Sequence, residues 1–140
     1  HNCIGYIIQC GVAECLTLGV KAGVEPRALW EAVRRGAVGR ANLFHRGLPD
    51  TLLRGQFDPP QFALRLAHKD VDLAVALGRE YGVPMRVAAL ALAELQEALN
   101  RGWGHLDSRA AMQLQEERAG VAVRVPDLEP NPAPPPGVPA

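Results

Sequence analysis

Apolar and polar positions recur at helical spacing along most of this chain, most sharply over residues 62–84, FALRLAHKDVDLAVALGREYGVP. At about 100° per residue, Phe62, Leu66, Lys69 and Leu73 share a sector about 60° wide, with Asp70 just off its edge. The pattern predicts a helix from about Gln61 to Tyr81, launched by Pro59 and Pro60 and closed by Gly82. A lysine at the centre of an apolar stripe needs a reason. Stripping an ammonium of water is costly unless an anion or acceptor replaces that water. Two readings are open: Lys69 snorkels its stem to solvent, or the stripe lines a pocket that receives something negatively charged.

The same reasoning extends to both sides. A first helix runs from before His1 to about Ala22 and stops at Gly23; Pro26 then opens a second, Arg27 to Arg35, ending at Gly36. The segment from Ala37 to Gly47 is ambiguous, with Ala41 to Arg46 a short helix candidate that turns Leu43 and Phe44 inward. Leu48 to Asp58 reads as a further short helical piece with a turn through Gly55. Pro84 starts a helix to about Arg101, and after the loop Gly102-Trp103-Gly104 either Asp107 or Ser108 caps a last helix to about Arg118. Val121 to Val125 is the only strand candidate, and a weak one. Seven prolines between Pro126 and Pro139 forbid helix beyond it. The predicted architecture is an all-α multi-helix bundle over 1–120, with short connections that make neighbours antiparallel, and a disordered, Pro-rich tail over 121–140.

Composition changes this picture in few places. The 140 residues are 48% apolar, enough for one domain. No capping residue or acidic first turn precedes the first helix, so the chain is expected to be a piece of a longer protein whose upstream part is missing. Fifteen basic residues balance fifteen acidic ones, which excludes a broad field for nucleic acid or an anionic membrane. Arg34, Arg35 and Arg40 cluster locally, as a place to meet an anion or as a solvated helix end. The apolar stretch Cys3 to Val20 is interrupted by Gln9, Glu14 and Thr17, which leaves runs too short to span lipid. It is expected to be buried between domains or subunits. Cys3 and Cys10 lie about 10 Å apart along a helix, beyond disulfide reach, and no ligand spacing for a metal is present. Buried, inert thiols in a reducing, cytoplasmic setting are the expectation.

The sequence holds no Gly-x-Gly-x-x-Gly, phosphate loop or serine elbow, hence no complete catalytic constellation. Candidate chemistry rests on polar residues in apolar settings. Asn2 lies on one helix face with Tyr6 and Gln9, as a buried amide that bridges helices or serves a site. His45, His68 and His105 read as solvated. Trp103 is suited to anchor a loop or a subunit contact. Asp70, next to Lys69, either orients the lysine or is a plain surface carboxylate.

The order FDPPQF-L-L--KDVDLA, then GREYGVP, then G-G--D closely resembles the helical C-terminal domain of the β-hydroxyacid dehydrogenases, a family that includes 3-hydroxyisobutyrate dehydrogenase. The opening HN, Ala13-Glu14 and KAGVEP resemble the start of the same domain, so the likeness covers roughly His1 to Arg118. It implies a bundle like the C-terminal domain of 6-phosphogluconate dehydrogenase, preceded by a Rossmann domain that binds NAD or NADP. In the family a catalytic lysine stands four residues before an asparagine. Asn2 matches the asparagine, which places the lysine upstream of His1 and leaves no catalytic residue within the chain. By position, Asn2, Phe62 and Asp70 resemble substrate-binding residues and Lys69 a cofactor-contacting one, and the cleft-facing reading of Lys69 is then favoured. His1, His105 and Arg109 depart from the family pattern, which leaves the subgroup open. The likeness implies a small β-hydroxy acid or semialdehyde substrate, a homodimer or homotetramer, and no metal, nucleic acid or membrane partner. This piece alone is expected to be inactive. The competing expectation is a non-catalytic assembly module of the same fold.

Overall fold

The computed structural model describes residues 2–125, apart from the side chain of Cys3. Among these residues there is no strand, only an isolated bridge between Ala63 and Asp107. The order is α1 (Asn2–Lys21), α2 (Pro26–Arg35), a π turn (Leu43–Gly47), the single turn α3 (Leu48–Asp50) and a 3-10 turn (Leu52–Arg54). There follow α4 (Leu64–Tyr81), α5 (Arg86–Asn100), two 3-10 turns (Trp103–His105 and Ser108–Met112) and α6 (Gln113–Ala119).

Local chemistry accounts for most boundaries. Pro26 occupies the first turn of α2, where its missing N–H costs nothing, and the Glu25 carboxylate accepts from Arg27 N and Ala28 N at 3.0 and 2.8 Å. Gly82 ends α4 in the left-handed conformation (φ 66°), which lets the Val83 N–H return to Gly78 O at 2.8 Å. The short connection folds α5 back along α4, and α1 crosses this hairpin. Two apolar clusters result. Leu52, Phe57, Leu64, Ala98, Ala110 and Leu114 fill the end where α4 begins, and Trp103 packs on them. Leu18, Val75 and Met85 fill the end that α1 reaches.

α5 begins without a cap of its own. Glu14, in the middle of α1, supplies one: its carboxylate accepts from Val87 N at 2.8 Å and Ala88 N at 3.1 Å. A charge inside an apolar helix is thereby explained by the orphan donors at another helix's N-terminus.

Several expectations are corrected. The long helix begins at Leu64 rather than Gln61, because Gln61 N and Phe62 N donate to Asp107 Oδ2 and Leu64 N to Leu106 O. The described residues of this chain leave the N-terminal half of α1 uncovered, the half expected to lie between domains or subunits. Among its described side chains only Leu18 is buried, while Ile4, Tyr6, Ile7 and Ile8 are exposed. Its close neighbours, Val87 beside Gly11 and Leu29 beside Gly19, lie along its C-terminal half. By length and composition the window Ile4–Lys21 does suffice to cross a membrane, contrary to the expectation of too short a run. Glu14, which caps α5 from within that window, marks it instead as a packing helix. Cys10 and Cys15 are free and exposed rather than buried, Cys15 at the edge of the groove that α1 forms with α2 and residues 37–44. Desolvation, reinforced by the Glu14 charge, still pushes the Cys15 thiol up, which keeps it protonated and unreactive near neutrality. Residues 121–125 form no strand. They are strapped to the body by Val125 N donating to Leu53 O at 2.8 Å and by Arg124 and Val123 N bonding Glu116. The rest of the expected tail, like His1, lies outside the described residues.

Candidate functional site

α4 carries apolar residues on two faces. One buries Leu64 and Val75 in the clusters above. The other holds Leu66, Lys69, Leu73 and Leu77 at helical spacing, all exposed, Leu73 at 60%. Lys69 therefore sits in an apolar stripe that no described residue covers. Its Nζ lies 2.8 Å from Asp70 Oδ1, with the two side chains 59% and 54% exposed. An exposed pair of this kind contributes only about 0–1 kcal/mol, so the ammonium is held in place yet remains free to take a stronger anionic partner.

Phe62 flanks the start of the stripe, though not as a helix residue. It lies in the turn before α4, with its side chain out (43% exposed) and its backbone fixed at both ends: N–H to Asp107 Oδ2 at 3.3 Å, C=O accepting from Ser108 N at 2.8 Å. Asp107, fully buried, is the hub of this corner. Oδ2 also accepts from Gln61 N at 2.9 Å, and Oδ1 accepts from Arg109 N and the Arg109 guanidinium, each at 3.0 Å.

The structure thus brings Lys69 and Asp70 into contact and sets Phe62 at the head of the same helix. Asn2 stands apart. It is exposed, not a buried amide, in a hollow of about 400 Å³ lined by α1 residues alone: Asn2, Gly5, Tyr6 and Gln9. A larger apolar groove of about 540 Å³ runs between α1, α2 and residues 37–44, and includes Ile8, Cys15, Val33 and Phe44. Among the histidines His45 and His105 are exposed as expected, while His68 is half-buried. Of the clustered arginines, Arg34 lies over the Trp30 ring (5.2 Å) and Arg35 pairs with Glu31, which describes a solvated helix end. No group of three or more potential metal ligands occurs among the described residues.

Three functional groups of the fold escaped the sequence reading. For Glu14 the signal was a lone carboxylate in an apolar helix, matched to an uncapped helix start after Pro84. The sequence marks Asp107 as a local cap, which it is for Arg109 N, but carries no local signal for its reach back to Gln61. The Glu116–Arg124 pair had none either.

The fold and site define a helical domain that presents a cation within an uncovered apolar face. Residues 1–115 match the family model described as NAD-binding of NADP-dependent 3-hydroxyisobutyrate dehydrogenase, and the chain belongs to that family. It is 32% identical over 112 residues to 2-(hydroxymethyl)glutarate dehydrogenase of Eubacterium barkeri, covering 80% of this chain and 36% of that one. It is 34% identical over 101 residues to glyoxylate/succinic semialdehyde reductase 1 of Arabidopsis thaliana, covering 72% and 34%. A weaker likeness, 27% over 107 residues, links it to the cytokine-like nuclear factor N-PAC of Aedes aegypti, covering 76% and 19%. The chain spans about a third of the length of the first two. Dehydrogenase relatives and NAD(P) use are properties of the family it belongs to.

Proposed function

We propose that the chain forms the helical C-terminal domain of a longer NAD(P)-dependent oxidoreductase acting on a small β-hydroxy acid or its semialdehyde. It closes one side of a cleft shared with a nucleotide-binding domain upstream. The observation that carries this reading is the open face of α4, where Lys69 stands among Phe62, Leu66 and Leu73 with only an exposed carboxylate as partner. A cation in apolar surroundings suits a diphosphate or carboxylate, so the residues present fit such a cofactor. When bound, the nicotinamide supplies hydride transfer.

The side chains divide the remaining work. Lys69 attracts the anionic cofactor. Asp70 orients the lysine amine and accepts from a substrate hydroxyl. Phe62 supplies an apolar wall that keeps water from the reacting carbon. Asn2 donates its amide to the substrate carboxylate, one helical turn from the lysine expected upstream, which serves as general acid and base. The bare N-terminal half of α1 and the groove beside it support assembly as a homodimer or homotetramer. The protein is proposed to be cytoplasmic, without a membrane partner because the Glu14 carboxylate within the apolar window of α1 caps α5, and without a nucleic-acid partner because fifteen basic residues balance fifteen acidic ones.

A second reading, a non-catalytic assembly module of the same fold, is favoured by one observation: a relative that bears the name of a nuclear factor. The test is to supply the complete polypeptide with NADH or NADPH and glyoxylate or succinic semialdehyde. Turnover by the complete polypeptide, and none by the 140-residue chain alone, is expected. No turnover with either cofactor, together with a non-basic residue four positions before Asn2, would establish the second reading. Sedimentation that finds only monomer at high concentration would overturn the proposed assembly.

A further inference from the structure

We infer that Asp107, with Arg109 as its counter-ion, is a positioning residue for substrate binding: it fixes the turn that presents the Phe62 ring. This rests on the reading of Phe62 as a substrate contact.

The geometry is one-sided in an informative way. The N–H and C=O of Phe62 are both bonded to the segment Asp107–Ser108, and the Ala63–Asp107 bridge and the Leu64 N–H to Leu106 O bond (2.8 Å) continue the clamp. The ring these bonds hold is left out of both apolar clusters and exposed. A backbone pinned by two strands of contact is what packing of a core aromatic would achieve, yet here the aromatic is not packed. A rigid turn that carries an exposed ring lowers the entropy lost when that ring closes on a ligand.

A fully buried carboxylate needs a partner for its charge, and Arg109 supplies it from two residues away with a side chain only 19% exposed. The guanidinium also lies over Gly47, where a Cβ would meet Arg109 Nε at 2.5 Å. The π turn, the Phe62 turn and the 3-10 turn at Ser108 therefore converge on one ion pair. The Asp107 carboxylate bonds Gln61 N, Phe62 N and Arg109, with no hydrogen bond to Lys69 or Asp70, so its influence on a ligand passes through the Phe62 turn.

The test is a double-mutant cycle in the complete polypeptide, with succinic semialdehyde and NADPH as probes and far-UV circular dichroism to verify folding. Phe62→Ala and Asp107→Asn are each expected to raise the semialdehyde KM about tenfold, with the cofactor KM within about twofold, as removal of one anchoring side chain does. A purely structural role for Asp107 would reduce the active fraction, and so kcat, without moving KM. The double variant is expected to be no more than about twofold worse than either single one. A double variant that multiplies the two effects, to about a hundredfold, overturns the positioning role alone. A silent Phe62→Ala overturns the reading of Phe62, and the positioning role with it. If Asp107→Asn does not fold, Asp107→Ser, which keeps an oxygen acceptor, takes its place with the same expected coupling. In the unmodified chain the Phe62 amide must exchange slowly with deuterium; free exchange overturns the clamp irrespective of any variant.

Discussion

Glu14 offers the most direct measure of how α1 is held to the α4–α5 hairpin. α5 has no side-chain cap at Met85, and its first free N–H groups at Val87 and Ala88 are taken by the two Glu14 oxygens at 2.8 and 3.1 Å. Glu14→Ala removes both acceptors and the negative charge from the helix N-terminus. Loss of a cap costs about 1–2 kcal/mol, and loss of the dipole interaction about 0.5 kcal/mol more. The expected total is about 2 kcal/mol, which for a chain of this size lowers Tm by about 6–10 °C. Glu14→Gln keeps one oxygen acceptor but turns an amide NH2 towards the second donor, so about half the loss is expected. Thermal melts of the 140-residue chain followed by circular dichroism at 222 nm read both. A Glu14→Ala melt within about 1 °C of the parent, less than a quarter of the expected cost in Tm, or equal effects from the two variants, would refute the assignment of Glu14 as the cap of α5.

The strap after α6 is held by a carboxylate that titrates. The Arg124 guanidinium, opposed by burial and helped by the Val123 N–H, holds the Glu116 carboxyl below its ordinary range. A carboxyl lowered in the folded state stabilises it fully above the unfolded value of about 4.3 and ceases to do so as pH falls through the folded value. The Tm difference between the parent and Arg124→Ala should therefore hold steady from neutral pH down to about 5 and shrink below about 4; a difference independent of pH would contradict the latch. Leu114→Ala, in the centre of the larger cluster, should cost about 3–5 kcal/mol, a large part of a typical domain's stability. Leu90→Ala, at 71% exposure, should change it by less than about 0.5 kcal/mol in a urea titration. Equal effects at the two leucines would place the core elsewhere.

Local signals were legible where local chemistry decides. Pro26, Gly82 and Pro84 punctuate the helices where the chain turns, and the stripe on α4 is a real helix face. The neighbouring Lys69 and Asp70 do meet. What failed depends on distant partners. α4 starts three residues late because Asp107, more than forty residues on, takes the amides that would have opened the helix. That same bond removes Phe62 from the helix while leaving it beside the stripe. α1, apolar on nearly every side, is expected to lie between domains or subunits, and none of the described residues covers its first turns. Asn2, on the same bare segment, is exposed for the same reason. Glu14 looked like an interruption of an apolar run until α5 was placed across it.

The central claim is that the ammonium on the open face of α4 meets a dinucleotide. Steady-state kinetics of Lys69→Ala in the complete polypeptide test it most directly. Loss of one charge-assisted contact to a phosphate is worth about 1.5–3 kcal/mol, so the cofactor KM should rise about tenfold or more while the semialdehyde KM changes little. A cofactor KM equal to that of the unaltered protein would contradict the account and return Lys69 to the solvent.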